Sequence, residues 1–399
     1  MKKTDKFFID IISSYISDRA LALPDNVNYA KLMHLAYIHK LTPVVYSALA
    51  KFRDRIPPDV FDALKSAALT AASSQVSRSR AFCEKYALIT GEGIRCAVVK
   101  GIALRRLWRE GDLRTSTDED ILVDPSDFRR AAAILSESGM EEKDAGANSD
   151  VRTFVCPESG LAIELHRKLI GGVGELKAHV VLLFGNSLSN LTEFDVDGCK
   201  LCTLSPTDHL LYLILHSFKH FISCGFGVRQ VADFIVFARE YAHATDADYI
   251  VRSLRSLRAL GFFDCLLKIC GEYFGVTREE LGFSSYTPSD TDSANMIEDI
   301  ISAGAYGNST VARAHSAVIT LSSVDSGKTR SPLSAVFPPY SIMKGSYPIL
   351  EKHRFLLPAA WVKRIVTKGF AKKTRNGATE TLETGRRRTA MLRQYGVIK

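Results

Sequence analysis

Residues 94–123 read IRCAVVKGIALRRLWREGDLRTSTDEDILV, and the fold turns on how this stretch is parsed. IRCAVVK (94–100) is a short apolar run rich in β-branched residues that ends in Lys-Gly, which points to a buried strand. A helix, IALRRLWREG (102–111), follows at once. DEDILV (118–123) is strand-like again. Side chains alternate between faces along a strand, so Asp118 and Asp120 point the same way. Two carboxylates side by side repel each other unless a cation sits between them. A hard divalent ion ligated by oxygen meets that need, and magnesium commonly takes one or two carboxylates plus substrate phosphates.

Outward from this stretch, DPSDFRRAAAILSESG (124–139) offers Ser126 as N-cap and Gly139 as terminator of a helix. VRTFVCP (151–157) and GLAIELHRKL (160–169) read as two further strands joined by a turn at Pro157–Gly160. FDVDGCKLCTL (194–204) adds an edge hairpin through Asp197-Gly198. Residues 5 to about 90 carry apolar residues at helical spacing, with Pro57 and Pro58 opening one helix. Helical patterning resumes at Ser205-Pro206, cap and first helical position, and runs to about residue 320. SSVDSGKTRSPL (322–333) reads as a loop, and Pro332, Pro338, Pro339, Pro348 and Pro358 restrict the segment after it to short helices.

The expected fold is α+β, a small mixed-sheet core flanked by N-terminal and C-terminal helical regions. Its expected divisions are a helical region (1–92), the α/β core (93–204), a helical domain (205–321) and a Pro-containing segment with a basic tail (322–399).

Composition agrees with a globular chain: 46% of the 399 residues are hydrophobic and 24% charged. No window is long and apolar enough to span a bilayer, and Asp5, Asp10 and Asp18 break the apolar stretch that a signal peptide would need. The expected location is the cytoplasm, which eight scattered cysteines suit as free thiols. Cys199 and Cys202 form a lone CxxC without the companion ligands of a zinc site. The net charge of +8 is uneven, because Lys363 to Lys399 holds eleven Lys or Arg against two Glu. The basic character therefore belongs to the tail. A tail of this kind suits RNA, acidic lipid or no partner, and its commonest state is solvated and partly disordered.

Glu164 sits between Ile163 and Leu165, on a strand able to lie beside DEDILV and supply a third carboxylate. Three carboxylates and divalent ions would bind a nucleoside triphosphate, polarise its α-phosphate and lower the pKa of an attacking hydroxyl. Lys100-Gly101 ends a strand where a helix begins, and helix N-termini bind phosphate through free backbone N–H groups. Glycine there lets the backbone come close, and Lys100 offsets phosphate charge.

VVKGIAL (98–104), the Arg114, Ser116, Asp118, Asp120 pattern R-x-S-x-D-x-D, and AIELH (162–166) resemble bacterial nucleotidyltransferase-like proteins of the polymerase-β superfamily. They are most similar to an uncharacterised branch patterned as Lys-Gly, Arg, Asp-x-Asp and a later Glu-Leu-His. AYIHKLTPVVYSAL (36–49), LHSFKHF (215–221), VADF (231–234), ISAGAYG (301–307) and FPPYSIMKGSYPIL (337–350) extend the resemblance to residues 28–368. The resemblance implies Asp118, Asp120 and Glu164 as ligands of Mg2+ or Mn2+, with Glu164 as metal ligand or base. It places Lys100 and Gly101 at the triphosphate, with Arg114 and Ser116 in the nucleotide-binding motif. Lys219 and His220 are candidates for basic groups donated by a helical domain. The implied reaction moves an NMP from an NTP to a hydroxyl acceptor, a small molecule, RNA or protein. A silent nucleotide-binding or scaffold relative is the alternative, as is a toxin-like enzyme that modifies RNA or protein, with 363–399 as a candidate nucleic-acid contact.

One position departs from the pattern. The middle of Asp-x-Asp is usually apolar because it faces the core, and here it is Glu119. Either Glu119 finds a partner, with Arg105 and Arg106 as candidates, or the strand begins later, or the site has decayed. His166 shares a strand face with Glu164 and reads as a partner behind the ligands or as a capping contact. Gly327-Lys328-Thr329 imitates the end of a P-loop, but Ser322 stands where that motif needs glycine.

Overall fold

The computed structural model describes residues 1–143, 150–170, 183–305, 307, 313, 320, 340, 343, 347, 349–369 and 374–398. Gly327-Lys328-Thr329 and most of FPPYSIMKGSYPIL lie outside the described residues. The chain opens with α1 (Lys3–Ser17), α2 (Tyr29–Ile38), α3 (Thr42–Leu49) and α4 (Pro58–Gly91). Then come β1 (Cys96–Val98), α5 (Ile102–Arg105), β2 (Asp118–Val123), α6 (Phe128–Glu137), β3 (Glu141–Lys143), β4 (Val151–Val155), β5 (Ala162–His166), β6 (Leu191–Val196) and β7 (Cys199–Leu204). Helices α7 (Pro206–Ile222), α8 (Val228–Glu240), α9 (Ala247–Ser256), α10 (Leu260–Phe274) and α11 (Ser293–Ala303) follow. Beyond them lie α12 (Ile349–Lys352), α13 (Leu357–Gly369) and α14 (Thr374–Gln394). Among the described residues, no helix is long and apolar enough to cross a membrane.

Two compact units interleave along the chain. The first takes Met1–Leu215, Arg229–Ser253 and Cys270–Thr287, and the second His216–Val228, Leu254–Ile269 and Pro288–Lys399.

In the first unit a five-stranded mixed sheet runs in the order β1-β2-β5-β4-β3. Strands β2 and β5 are parallel, and the other neighbours are antiparallel. Ile121 and Val123 of β2, Ile163 and Leu165 of β5 and Phe154 of β4 are fully buried, packed with Phe128, Ala131 and Leu135 of α6 and with Phe82 and Ile89 of α4. Each of the larger of these side chains contributes on the order of 1.5–3 kcal/mol by leaving water. Strand β2 is thus fixed by apolar partners at its C-terminal half, which leaves its acidic start to be positioned by polar contacts.

Several local details differ from the sequence reading. Helix α5 is a single turn, because Leu107 N–H and Trp108 N–H bond three residues back and tighten the chain. Ser126 is not the N-cap of α6; its N–H and hydroxyl both donate to Asp124 Oδ1, at 2.9 and 2.6 Å, and Asp127 takes the cap position. Gly139 does follow the helix in the left-handed region, at φ +87°. The β6–β7 hairpin forms its own two-stranded sheet rather than lengthening the large one, with Asp197 and Gly198 at φ +52° and +82° in the turn. Thr203 of β7 still ties it to β1 by donating its hydroxyl to Val98 O at 2.6 Å.

In the second unit the last stretch of the tail, from Arg388 on, departs from the solvated reading. Met391, Leu392, Tyr395, Val397 and Ile398 are buried, and so is Arg388. Arg388 Nη1 donates to Ser223 O at 2.9 Å and Nη2 to Phe221 O. The buried Asp299 of α11 receives Arg313 at 3.0 and 2.9 Å, with Arg388 Nε at 3.6 Å and Arg387 at 3.5 Å. Apolar residues interleaved with the arginines give the end of the chain a packed face, and one carboxylate draws the cations inward.

Candidate active site

The parallel register of β2 and β5 sets Asp120 opposite Glu164 and Leu122 opposite His166. Strand alternation then brings Asp120, Glu164 and His166 to one face. His166 Nε2 lies 3.0 Å from Asp120 Oδ1 and 3.4 Å from Glu164 Oε2. One atom from each of the three lies within 4.8 Å of the others, the one such set of three metal-ligating side chains among the described residues. Asp120 is 1% exposed, whereas the Glu164 side chain is 36% exposed, so the group opens toward solvent on the Glu164 side.

Two atoms of this group are orphans. Asp120 Oδ2 and His166 Nδ1 are buried without a hydrogen-bond partner among the described residues. A buried carboxylate oxygen left unpaired is costly, and coordination to a cation would relieve it.

Lys100 enters from the end of β1, its Nζ 2.9 Å from Asp120 Oδ1. Burial opposes its charge, but Asp120, then Tyr212, Asp118 and Glu164, push its pKa up. Burial likewise raises Asp120, yet Lys100 and His166 outweigh it and hold the carboxyl below its ordinary value. The hydrogen bond from His166 holds Glu164 low against burial. Burial disfavours charge on His166, and the bonds to Asp120 and Glu164 reverse that and raise its pKa. Both carboxyls are thus biased toward the ionised form and Lys100 toward its charged form.

Asp118 shares the face but stays outside the three-residue group. It begins β2 half-buried, with Thr117 Oγ1 donating to its Oδ1 at 3.2 Å. Sequence reasoning missed Tyr212, a buried phenol on α7 close enough to Lys100, Asp120, Glu164 and Asp118 to feel their charge. A helical LLYLIL run carries no signal that would single it out. His166 was visible on the Glu164 face, but its place among the ligating atoms required the β2–β5 register.

Glu119 faces the other way and is satisfied. Its Oε2 accepts Ile102 N–H at 2.6 Å, and its Oε1 accepts Arg105 Nη1 at 2.8 Å and Ser116 Oγ at 3.1 Å. Glu119 thus finds its partner in Arg105, and β2 begins at Asp118 rather than later. The first amide of α5, expected to be free for phosphate, is thus taken by Glu119. Gly101 has φ +51°, and a Cβ there would fall 1.8 Å from Glu119 Oε2, so the glycine makes room for this carboxylate.

The motif residues between have internal partners too. Arg114 pairs bidentately with Asp233 of α8, Nε to Oδ1 at 2.9 Å and Nη2 to Oδ2 at 2.6 Å, while Trp108 Nε1 donates to Asp233 Oδ1 at 3.0 Å. Ser116 Oγ accepts Arg105 at 2.6 Å, and its N–H donates to Gln75 of α4 at 2.7 Å. Arg229 Nη1 donates to Thr115 O at 2.6 Å. Both Arg114 and Ser116 are buried, and their described contacts shape the 114–117 segment that delivers Asp118. Lys219 and His220 lie in the last turn of α7, within the second unit.

A family model described as "Uncharacterised nucleotidyltransferase" matches residues 25–275, which takes in every residue named above around Asp120. Neither curated proteins nor solved structures give a match. With well over half its length inside that family model, and the carboxylates of its Asp-x-Asp and Glu-Leu-His stretches gathered on one sheet face, the chain belongs to the uncharacterised nucleotidyltransferase family.

Proposed function

We propose that this protein moves a nucleoside monophosphate from an NTP to an acceptor hydroxyl, at a divalent-metal site held by Asp120 and Glu164 with Asp118 beside them. The observation that carries the reading is the buried, unpartnered Asp120 Oδ2 next to the half-open Glu164. When bound, an ion here supplies polarisation of the α-phosphate and a lower pKa for the attacking hydroxyl. His166 adds a nitrogen to the donor set, which admits Mn2+ more readily than the oxygen-seeking Mg2+.

The residues have separable tasks. Lys100 lies beside the ligands and offsets charge on the phosphates. His166 keeps the Asp120 carboxylate oriented through Oδ1. Glu164, ionised and the most accessible of the group, takes the hydroxyl proton as the acceptor oxygen bonds to the α-phosphorus. The bond from that phosphorus to the bridging oxygen breaks, and pyrophosphate leaves with the electron pair. Arg114 and Ser116 act as positioning residues through Asp233, Arg105 and Glu119. Catalysis rests on positioning and electrostatics, with no covalent intermediate on the chain.

Incubation with each α-labelled NTP and Mn2+ tests the proposal, reading transfer of label to a small molecule, RNA or protein. Loss of transfer in Asp120→Asn is expected; transfer that survives this change sinks the reading.

A second reading rests on Lys100. Its ammonium already sits among Asp118, Asp120 and Glu164, where a divalent ion would otherwise balance them. A silent NTP-binding relative would use Lys100 in this way. That protein would bind NTP without transfer, and Mn2+ would bind appreciably only to Lys100→Met. Mn2+ binding by the unaltered chain excludes it.

A further inference from the structure

On the other side of the motif segment lies a cavity of about 410 Å³, lined by residues of α2, α3 and α4, by Lys40 and by Thr115–Thr117. Among the described residues its cationic lining residues are Lys40 and Arg78, its hydroxyl-bearing ones include Thr42, Thr70, Ser74 and Thr117, and no Asp or Glu lines it. Arg229 stands close behind. Burial first, and then the charges of Arg229 and Arg78, push the pKa of Lys40 down. A hollow lined by cations and hydroxyl donors offers charge-assisted hydrogen bonds to an oxyanion.

Lys40 is also held there against backbone preference. Its φ is +58°, a left-handed conformation that side-chain-bearing residues seldom adopt. The Thr115 hydroxyl donates to Lys40 O at 2.9 Å, so the motif segment itself pins this turn. Thr117 lines the cavity and donates to Asp118, which places the hollow beside the first aspartate of the motif.

We infer that this cavity is a phosphate-binding pocket in which Lys40 and Arg78 grip a phosphate group of a ligand. The volume exceeds what one ordered water requires and accepts a phosphate ester, with Pro43, Ala67 and Ala71 as a small apolar wall. The gripped group belongs either to the nucleotide or to a phosphorylated acceptor. Phosphate binding is measured without turnover, so the inference stands apart from nucleotidyl transfer.

Calorimetry on the full chain tests it, with pyrophosphate and glycerol phosphate as metal-free probes and an α,β-methylene NTP analogue in Mn2+. The unaltered protein is expected to bind a metal-free probe. Lys40→Gln and Arg78→Gln should each weaken that binding about tenfold or more, the scale of one lost charge-assisted hydrogen bond, while Lys40→Arg retains it. Thermal midpoints confirm folding, and if one Gln variant unfolds the other carries the test. Weakening for glycerol phosphate alone assigns the pocket to the acceptor, and weakening that extends to the analogue assigns it to the nucleotide. No binding by the unaltered chain, unchanged binding in both Gln variants, or weakening only in Asp120→Asn overturns the pocket.

Discussion

Gly101 and Glu119 depend on each other. A Cβ at Gly101 would overlap the Glu119 carboxylate that satisfies Ile102 N–H and Arg105. Gly101→Ala is therefore expected to lower unfolding stability by about 2 kcal/mol or more, from left-handed strain and displacement of a buried ion pair. Chemical denaturation measures it, and an unchanged midpoint would remove this role for the glycine. Asp120→Asn tests the other face. If the ion is held as proposed, transfer should fall at least about a hundredfold, since a metal clamp contributes several kcal/mol to a transition state. Mn2+ binding should fall with it, which direct titration checks. At this scale much was legible: alternation alone separated Asp118 and Asp120 from Glu119, and Arg105 was already a candidate partner. What alternation could not show is that Arg114 would meet Asp233, because nothing local marks a contact across 119 residues.

Among elements, the site hangs on how β1, β2 and β5 are held. His209 of α7 is fully buried, with Nε2 donating to Val99 O at 2.7 Å and Nδ1 2.9 Å from Thr203 Oγ1. It anchors the end of β1 immediately before Lys100. Burial pushes its pKa down to about 4, below the ordinary histidine value of 6.5. The folded chain therefore resists protonation there, while the unfolded chain takes the proton below pH 6.5. Its contribution is full above pH 6.5 and is lost as pH falls toward 4, a span of roughly 3 kcal/mol. Unfolding followed between pH 7 and 4.5 should show this loss, and His209→Gln should flatten it; equal slopes in the two proteins would refute it. Strands β2, β4 and β5 were readable because apolar residues bound them. Strand β3, Glu-Glu-Lys, was not, since an edge strand of charged residues resembles a loop until β4 pairs with it. The β2–β5 register, which recruits His166, is a tertiary fact with no sequence mark.

For the whole molecule, charge is distributed differently from what its position along the chain suggests. Part of the basic end is spent internally, where Arg387 and Arg388 join Arg313 around Asp299. Arg388→Met is expected to destabilise the second unit by about 1–3 kcal/mol, the scale of leaving the Phe221 carbonyl without its buried donor, since Arg313 still pairs with Asp299. Its thermal transition, followed by hydrogen exchange at Phe221–Ser223, measures that; protection equal to the parent's would show the arginine to be dispensable. The surplus of cations near the C-terminus was plain in the sequence, but the single carboxylate that turns them inward was not. The interleaved units carry a consequence for synthesis. On the ribosome, Arg114 and Trp108 emerge long before their partner Asp233, and at about 5–20 residues per second the gap lasts on the order of ten seconds. Residues 270–287, which complete the first unit, come later still. The nascent chain thus carries its nucleotidyltransferase motifs in an unfinished state, a natural client for chaperones until its last returning segment has left the exit tunnel.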